Sequence, residues 1–163
     1  MSDYYVKHLT VPLPLAAASA IVDHALRIGR ENGMLPLTVA VLDAGGNLLA
    51  FKREDGSGIM RGDIAIGKAW GALGMGISSR TIRERLKDRP AFQAALSSAS
   101  QGRFVPVPGG VLVCSDDDAV VGAIGISGDA SDKDEYCAIE AVKAADLRSH
   151  PETPSDNWQD AGL

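Results

Sequence analysis

Histidine is scarce in this chain. His8, His24 and His150 are the only imidazoles among 163 residues. A zinc held by three histidines would need all of them to converge, so zinc catalysis is a poor reading. Cysteine is equally sparse: Cys114 and Cys137 form no C-x-x-C pair. The N-terminus lacks a basic segment followed by an apolar stretch, so no secretory signal is read, and both thiols are expected reduced and structural in a cytoplasmic protein. Aromatics make up only 5% of residues, which leaves a core of Ala, Val, Ile and Leu. No apolar run approaches the roughly 20 residues needed to span a bilayer, so no membrane partner is expected. Basic residues are outnumbered, 16 Lys and Arg against 21 Asp and Glu for a net charge of −5. That balance argues against nucleic acid as a partner, because phosphate contacts call for clustered cations. Walker, G-x-G-x-x-G, H-E-x-x-H and G-x-S-x-G signatures are all missing.

What the chain does have is 18 glycines and 45% hydrophobic residues. A chain of this length reads as one domain, able to bury roughly two thirds of the surface its unfolded form exposes. Residues 11–32 are predicted to form an amphipathic helix, entered at Pro12 and Pro14 and stopped by Gly33. His24 lies at the border of its apolar face. It is either a boundary histidine with one ring edge in water or a metal or haem ligand. Residues 37–43 and 47–54 read as a β-hairpin turned by Gly45 and Gly46, with the TVAVL strand buried on both faces.

Residues 59–77 are predicted to form a helix that is apolar nearly all round. One face carries Ile66, Ala69, Trp70 and Leu73, and the other Ile64, Gly67, Gly71 and Met75. Lys68 is the only charge from Ile64 to Ser79. It is read either as a snorkelling lysine whose head reaches water or as a lysine presented to an anionic or carbonyl-bearing ligand. Gly67, Gly71 and Gly74 weaken the helix, which suggests that another backbone or a subunit packs closely there. Residues 79–89 read as a basic amphipathic helix anchored by Ile82 and Leu86, and 92–99 as a short helix. Two apolar strands follow, joined by the solvated acidic turn Asp116, Asp117 and Asp118. A final helix begins with Ser131 and Asp134 in a capping-box-like pattern. The expected fold is α+β, a central and mostly antiparallel sheet flanked by helices, as a single domain over 1–147 with a polar tail at 148–163. Trp158 in that tail suggests docking on the body or on a neighbouring subunit.

The stretch 104–138 is the natural place for a site. Its strand ends carry Pro108, Gly109 and Gly110 on one side and Ser127 and Gly128 on the other, leaving bare backbone where a ligand could approach. Lys68, Glu135, Arg61, Asp63 and Arg103 are the polar candidates around such a pocket.

The segments VAVLDAGGNLLAFKREDG, DIAIGKAW, PVPGGVLV and VVGAIGISGDASDKDEYCA together resemble the GlcG/HbpS family, which includes the C-terminal domain of the PduO corrinoid adenosyltransferases. The likeness runs from about the first helix to Ala145, with all four blocks in order. Asp43, Gly45, Gly46, Lys68, Pro108, Gly109, Gly110, Gly128, Asp134 and Glu135 match its recurrent positions. The basic 80–89 helix, the acidic 116–118 turn and the longer tail depart from it. The resemblance implies an α+β fold with a central antiparallel sheet, assembly into dimers or larger homo-oligomers, and haem binding in several members. It makes His24 or His8 the nearest candidate for an iron ligand.

The leading expectation is therefore a cytoplasmic haem- or tetrapyrrole-binding protein, serving haem or iron handling or a catabolic pathway. Its pocket would lie between the Pro108, Gly109 and Gly110 edge and the Lys68 helix. Lys68 or Arg61 would neutralise a propionate, and His24 would ligate iron. An alternative is a lyase, isomerase or hydrolase acting on a carboxylate or carbonyl compound, with Lys68 holding the anion and Glu135 as general base. A third is an accessory subunit without chemistry of its own.

Overall fold

The computed structural model describes residues 7–163. Helix α1 spans Leu15–Glu31 and buries Ala18, Ile21, Val22, Ala25 and Ile28 on the face the periodicity predicted. It starts later than expected, because extended Pro14 occupies the N-cap. Gly33, at φ 64°, takes the left-handed conformation that lets the chain leave the helix. Strands β1 (Thr38–Asp43) and β2 (Leu48–Arg53) form the expected hairpin. Its turn is tied by Asp43 Oδ1, which accepts from the amides of Gly45 and Asn47, each at 2.9 Å.

Helix α2 (Arg61–Met75) crosses the sheet, followed by α3 (Ser79–Leu86) and α4 (Pro90–Ala99). Strands β3 (Gly110–Cys114) and β4 (Val120–Ser127) pair antiparallel. Helix α5 (Ser131–Ala144) then leads into β5 (Arg148–His150), which pairs with β3. The five strands lie in the order β2-β1-β4-β3-β5, and every pairing is antiparallel. None of the described helices is long and apolar enough to cross a membrane.

Side-chain alternation divides the core in two. Val39, Val41, Ile124 and Ile126 point to one face, where α1 and α5 cover them. Leu42, Leu112 and Ala123 point to the other, where Ala69 and Ala72 of α2 pack. The result is a three-layer α+β domain, with α1 and α5 on one side of the sheet and α2 on the other.

The way α2 is buried differs from the sequence reading. Its buried residues are Ala65, Gly67, Lys68, Ala69, Gly71 and Ala72, whereas Trp70 and Leu73 are only half-buried and Met75 is exposed. Small residues win because backbone meets backbone on both sides. A Cβ at Gly125 would overlap the Ala65 carbonyl, and one at Gly67 would sit 2.7 Å from the Arg103 carbonyl. The close partner expected at Gly67 and Gly71 is thus the chain's own 103–105 segment, whereas Gly74 has no such neighbour. Ile82 and Leu86 anchor α3 as predicted, with Phe104 beside them. Ser131 does not cap α5: the N-cap is Ala130, without a side-chain hydrogen bond. Trp158 docks on the body, its ring stacked on Tyr136 with centroids 3.6 Å apart.

Candidate functional site

Between β4 and α5 the chain turns through residues 127–130, and a buried polar cluster forms at this end of the sheet. Lys68 projects from α2 past the sheet edge and is 2% exposed. Its ammonium donates to the Ile126 carbonyl at 2.8 Å and to Asp134 Oδ2 at 3.0 Å. Asp134 Oδ1 accepts from the Asp129 amide at 3.0 Å, so the carboxylate serves both the lysine and the turn. Burial pushes the Lys68 ammonium down and the Asp134 carboxyl up to about 6, with each partner's charge offsetting the other's loss of solvent.

Gly109 is the floor of this cluster. It takes φ 118°, and a Cβ there would lie 2.8 Å from the Ile126 carbonyl and 3.0 Å from Lys68 Nζ. Only glycine satisfies both constraints. Gly110 is held by Ser79 Oγ, which accepts from its amide at 2.8 Å.

Glu135 follows Asp134 and is fully buried. Arg80 Nε of α3 lies 3.1 Å from both of its oxygens, in hydrogen-bonding geometry with Oε1. Oε2 is buried without a hydrogen bond, as is Oδ1 of Asp132. Burial is the main reason the Glu135 carboxyl is pushed up to about 7, against the pull of Arg80 and with a further push from Asp132. Asp129 behaves oppositely. Burial raises it, but the amides of Leu35 and Ala130 and the Lys133 ammonium outweigh burial and hold it below the usual carboxylate range.

Lys68, Gly109, Gly110 and Glu135 gather at one end of the domain. The space between them is closed. Lys68 neither snorkels to water nor faces a ligand cavity, because Asp134 has taken its charge. Glu135 likewise lies against Arg80 and lines none of the principal cavities. The expected pocket between the Lys68 helix and the 108–110 edge is filled by the protein itself.

His24 is half-buried on α1, across the sheet from α2. It cannot share a pocket with Lys68 or Arg61 within one chain. Among the described residues no group of three His, Cys, Asp or Glu is placed to hold a metal ion. Arg61, at the first turn of α2, remains half-buried and donates to Ser127 Oγ at 3.2 Å. Sequence reasoning does not pair Arg80 with Glu135 or Asp134 with Lys68. It reads Asp134 as part of a capping-box-like pattern, although its spacing to Ala138, Ala141 and Val142 places it on the buried face of α5.

This domain belongs to the family described as haem degrading protein HbpS-like, whose model matches residues 13–143. It is 26% identical over 120 residues to the corrinoid adenosyltransferase PduO of Citrobacter freundii, covering 74% of this chain and 35% of that protein. The chain thus spans about a third of that relative. In structure it resembles the PduOC:haem complex, with a TM-score of 0.76 and 24% identity over 85% of this chain and 98% of the other. A double-substituted HbpS from Streptomyces reticuli superposes with a TM-score of 0.69 at 28% identity, covering 88% of this chain and 92% of that one.

Proposed function

We propose that this protein binds haem or a related tetrapyrrole, at the edge where α2 begins and away from the closed Lys68 cluster. A haem needs apolar surface for the macrocycle, cations for two propionates and a donor atom for iron. The observation that carries the reading is the exposure of Ile59 at 89% and Met60 at 69%, directly before Arg61. Phe51, 40% exposed, lies against the first turn of α2, where a Cβ at Gly62 would be 3.3 Å from its ring. Apolar side chains so exposed mark an interaction surface. Thr38 Oγ1 and Ser57 Oγ, 2.7 Å apart, tie the loop before α2 to β1.

In this reading Arg61 and Arg53, at the end of β2, pair with the propionates, and Met60, next to Arg61 in sequence, offers a thioether donor. Haem bound there supplies a redox-active iron; the chain supplies the apolar seat and the charges. Membership of an HbpS-like family supports the reading, as does the haem in the PduOC structure. Self-association belongs to the same proposal, because α4 has no buried residue and leaves Phe92 39% exposed. The enzymatic alternative finds less support, since Lys68 and Glu135 face no open cavity.

Titrating the protein with hemin and following the Soret band tests the proposal, with the mass in solution measured in parallel. Saturable binding at micromolar protein is expected. Arg61→Gln should weaken it severalfold, Met60→Leu should shift the band, and His24→Ala should leave it unchanged. Absence of a saturable band sinks the haem reading. A shift in His24→Ala with none in Met60→Leu moves the ligand to α1.

A further inference from the structure

Gly71 and Gly74 of α2 have different explanations. A Cβ at Gly71 would lie 3.1 Å from the Phe104 ring, so that glycine seats the ring. Gly74 has no such neighbour: the nearest atom to a Cβ there is Trp70 Cζ3 at 3.9 Å. Glycine weakens a helix relative to alanine, and at Gly74, in the last turn of α2, no packing requires it. What Gly74 leaves open is a cavity of about 180 Å³ between α2 and α4, lined by Trp70, Met75, Leu96 and Phe104. The cavity opens to solvent, with Gly74 and Met75 exposed at its rim, and its volume matches a benzene-sized ring.

A cation stands beside this cavity, outside its lining. Arg103 holds its guanidinium 4.1 Å from the centroid of the Trp70 ring, and its Nε donates to the Ser100 carbonyl at 3.2 Å. Both Trp70 and Ser100 line the cavity. Gly46 approaches the indole from the hairpin, where a Cβ would lie 3.2 Å from it, so the ring is confined. No carboxylate of the described residues pairs with Arg103, which shares this with Arg53, Arg61, Arg85 and Arg89 but alone among them lies against an aromatic ring that lines the cavity.

We infer that this cavity is a binding site for a small aromatic carboxylate, its ring seated between Trp70 and Phe104 and its carboxylate on Arg103. An aromatic guest gains offset or edge-to-face contact with both rings. The fixed guanidinium favours an anion over a neutral analogue of the same shape. The site lies toward the C-terminal end of α2, away from the haem edge at its first turn, and is independent of that proposal.

The test uses phenylacetate and its neutral counterpart phenylacetamide, with the Met75 methyl group followed by NMR. Met75 lines the cavity, so a ring-current shift there reports occupancy directly. Phenylacetate should shift that methyl saturably at millimolar concentration or below, and about tenfold more tightly than phenylacetamide. Gly74→Leu, which fills the cavity, should abolish the shift. Arg103→Gln, a surface change that leaves the core untouched, should remove the preference for the acid and retain the neutral compound. No saturable Met75 shift with either probe overturns the site. Equal affinity for the two probes in the unmodified protein overturns the carboxylate assignment, and so does an unchanged preference in Arg103→Gln.

Discussion

Lys68 Nζ and Asp134 Oδ2, 66 residues apart in sequence, meet at 3.0 Å inside the domain, where their side chains are 2% and 1% exposed. This pair joins α2 to α5 across the end of the sheet that separates them. Removing one partner strands a charge out of reach of water, at a typical cost of about 3–5 kcal/mol. Lys68→Met and Asp134→Leu should each lose about that much in urea denaturation. The double variant should lose far less than the two together, since apolar groups can replace a buried pair at little cost. Additive losses would mean that the ion pair is not the joint.

Glu135 gives the protein a pH dependence of unusual sign. Its carboxyl is raised from 4.5 to about 7 in the folded state, so the folded protein holds a proton that the unfolded chain has released. Stability should fall as pH rises from 4.5 to about 7 and level off above that. The size is on the order of 3 kcal/mol. Asp134, raised from 3.8 to about 6, adds a parallel decline over its own range. The measurement is therefore the difference between the unmodified protein and Glu135→Gln across that range. A difference that does not change with pH would refute the assignment to Glu135.

The contrast between two glycines checks the account of α2. Gly125→Ala would drive a methyl group into the Ala65 carbonyl, forcing the helix off the sheet. A loss of at least ~3 kcal/mol, or failure to fold, is expected, in line with overpacking of a tight core. Gly74→Ala meets open space in a helical conformation and should stabilise by up to ~1 kcal/mol. Thermal unfolding of the two variants decides between this and a helix weakened uniformly by its glycines.

The fold was largely legible because its signals are local. Alternating and apolar runs marked β1, β3 and β4, glycines marked the hairpin turn, and helical spacing gave the buried faces of α1 and α3. The candidate site was half legible. Lys68 stood out as a lone charge in an apolar helix, and Gly109 as backbone kept bare for a close approach. Their meaning depended on Asp134, whose role is set by a contact across the sheet that no local pattern records. Chemistry suited to a haem groups His24 with Lys68, yet which face of a sheet a helix covers is decided by chain topology. Hydropathy alone assigns Trp70 and Leu73 to the core. Gly125 and the other small residues instead brought the backbones together and left the large side chains toward the surface.

Trp158 shows how a polar tail is kept on the body. Its ring lies parallel to Tyr136, with an interplanar angle of 5° and centroids 3.6 Å apart. Upstream, Arg80 donates to the Thr153 carbonyl at 2.8 Å from α3. Two independent contacts thus hold the segment after β5, one apolar and one charged. Aromatic pairs contribute about 0.5–1.5 kcal/mol beyond the area they bury, and for a domain of this size about 1 kcal/mol shifts Tm by roughly 2–4 °C. Trp158→Ala should lower Tm by several degrees, and Tyr136→Leu by less, because leucine keeps apolar cover without the stack. Amides of residues 151–163 should exchange hydrogen faster in Trp158→Ala, while those of β3 and β4 stay protected. Loss of protection in β3 would show instead that residues 151–163, beyond the sheet strand β5, are integral to the sheet and not an attachment to it.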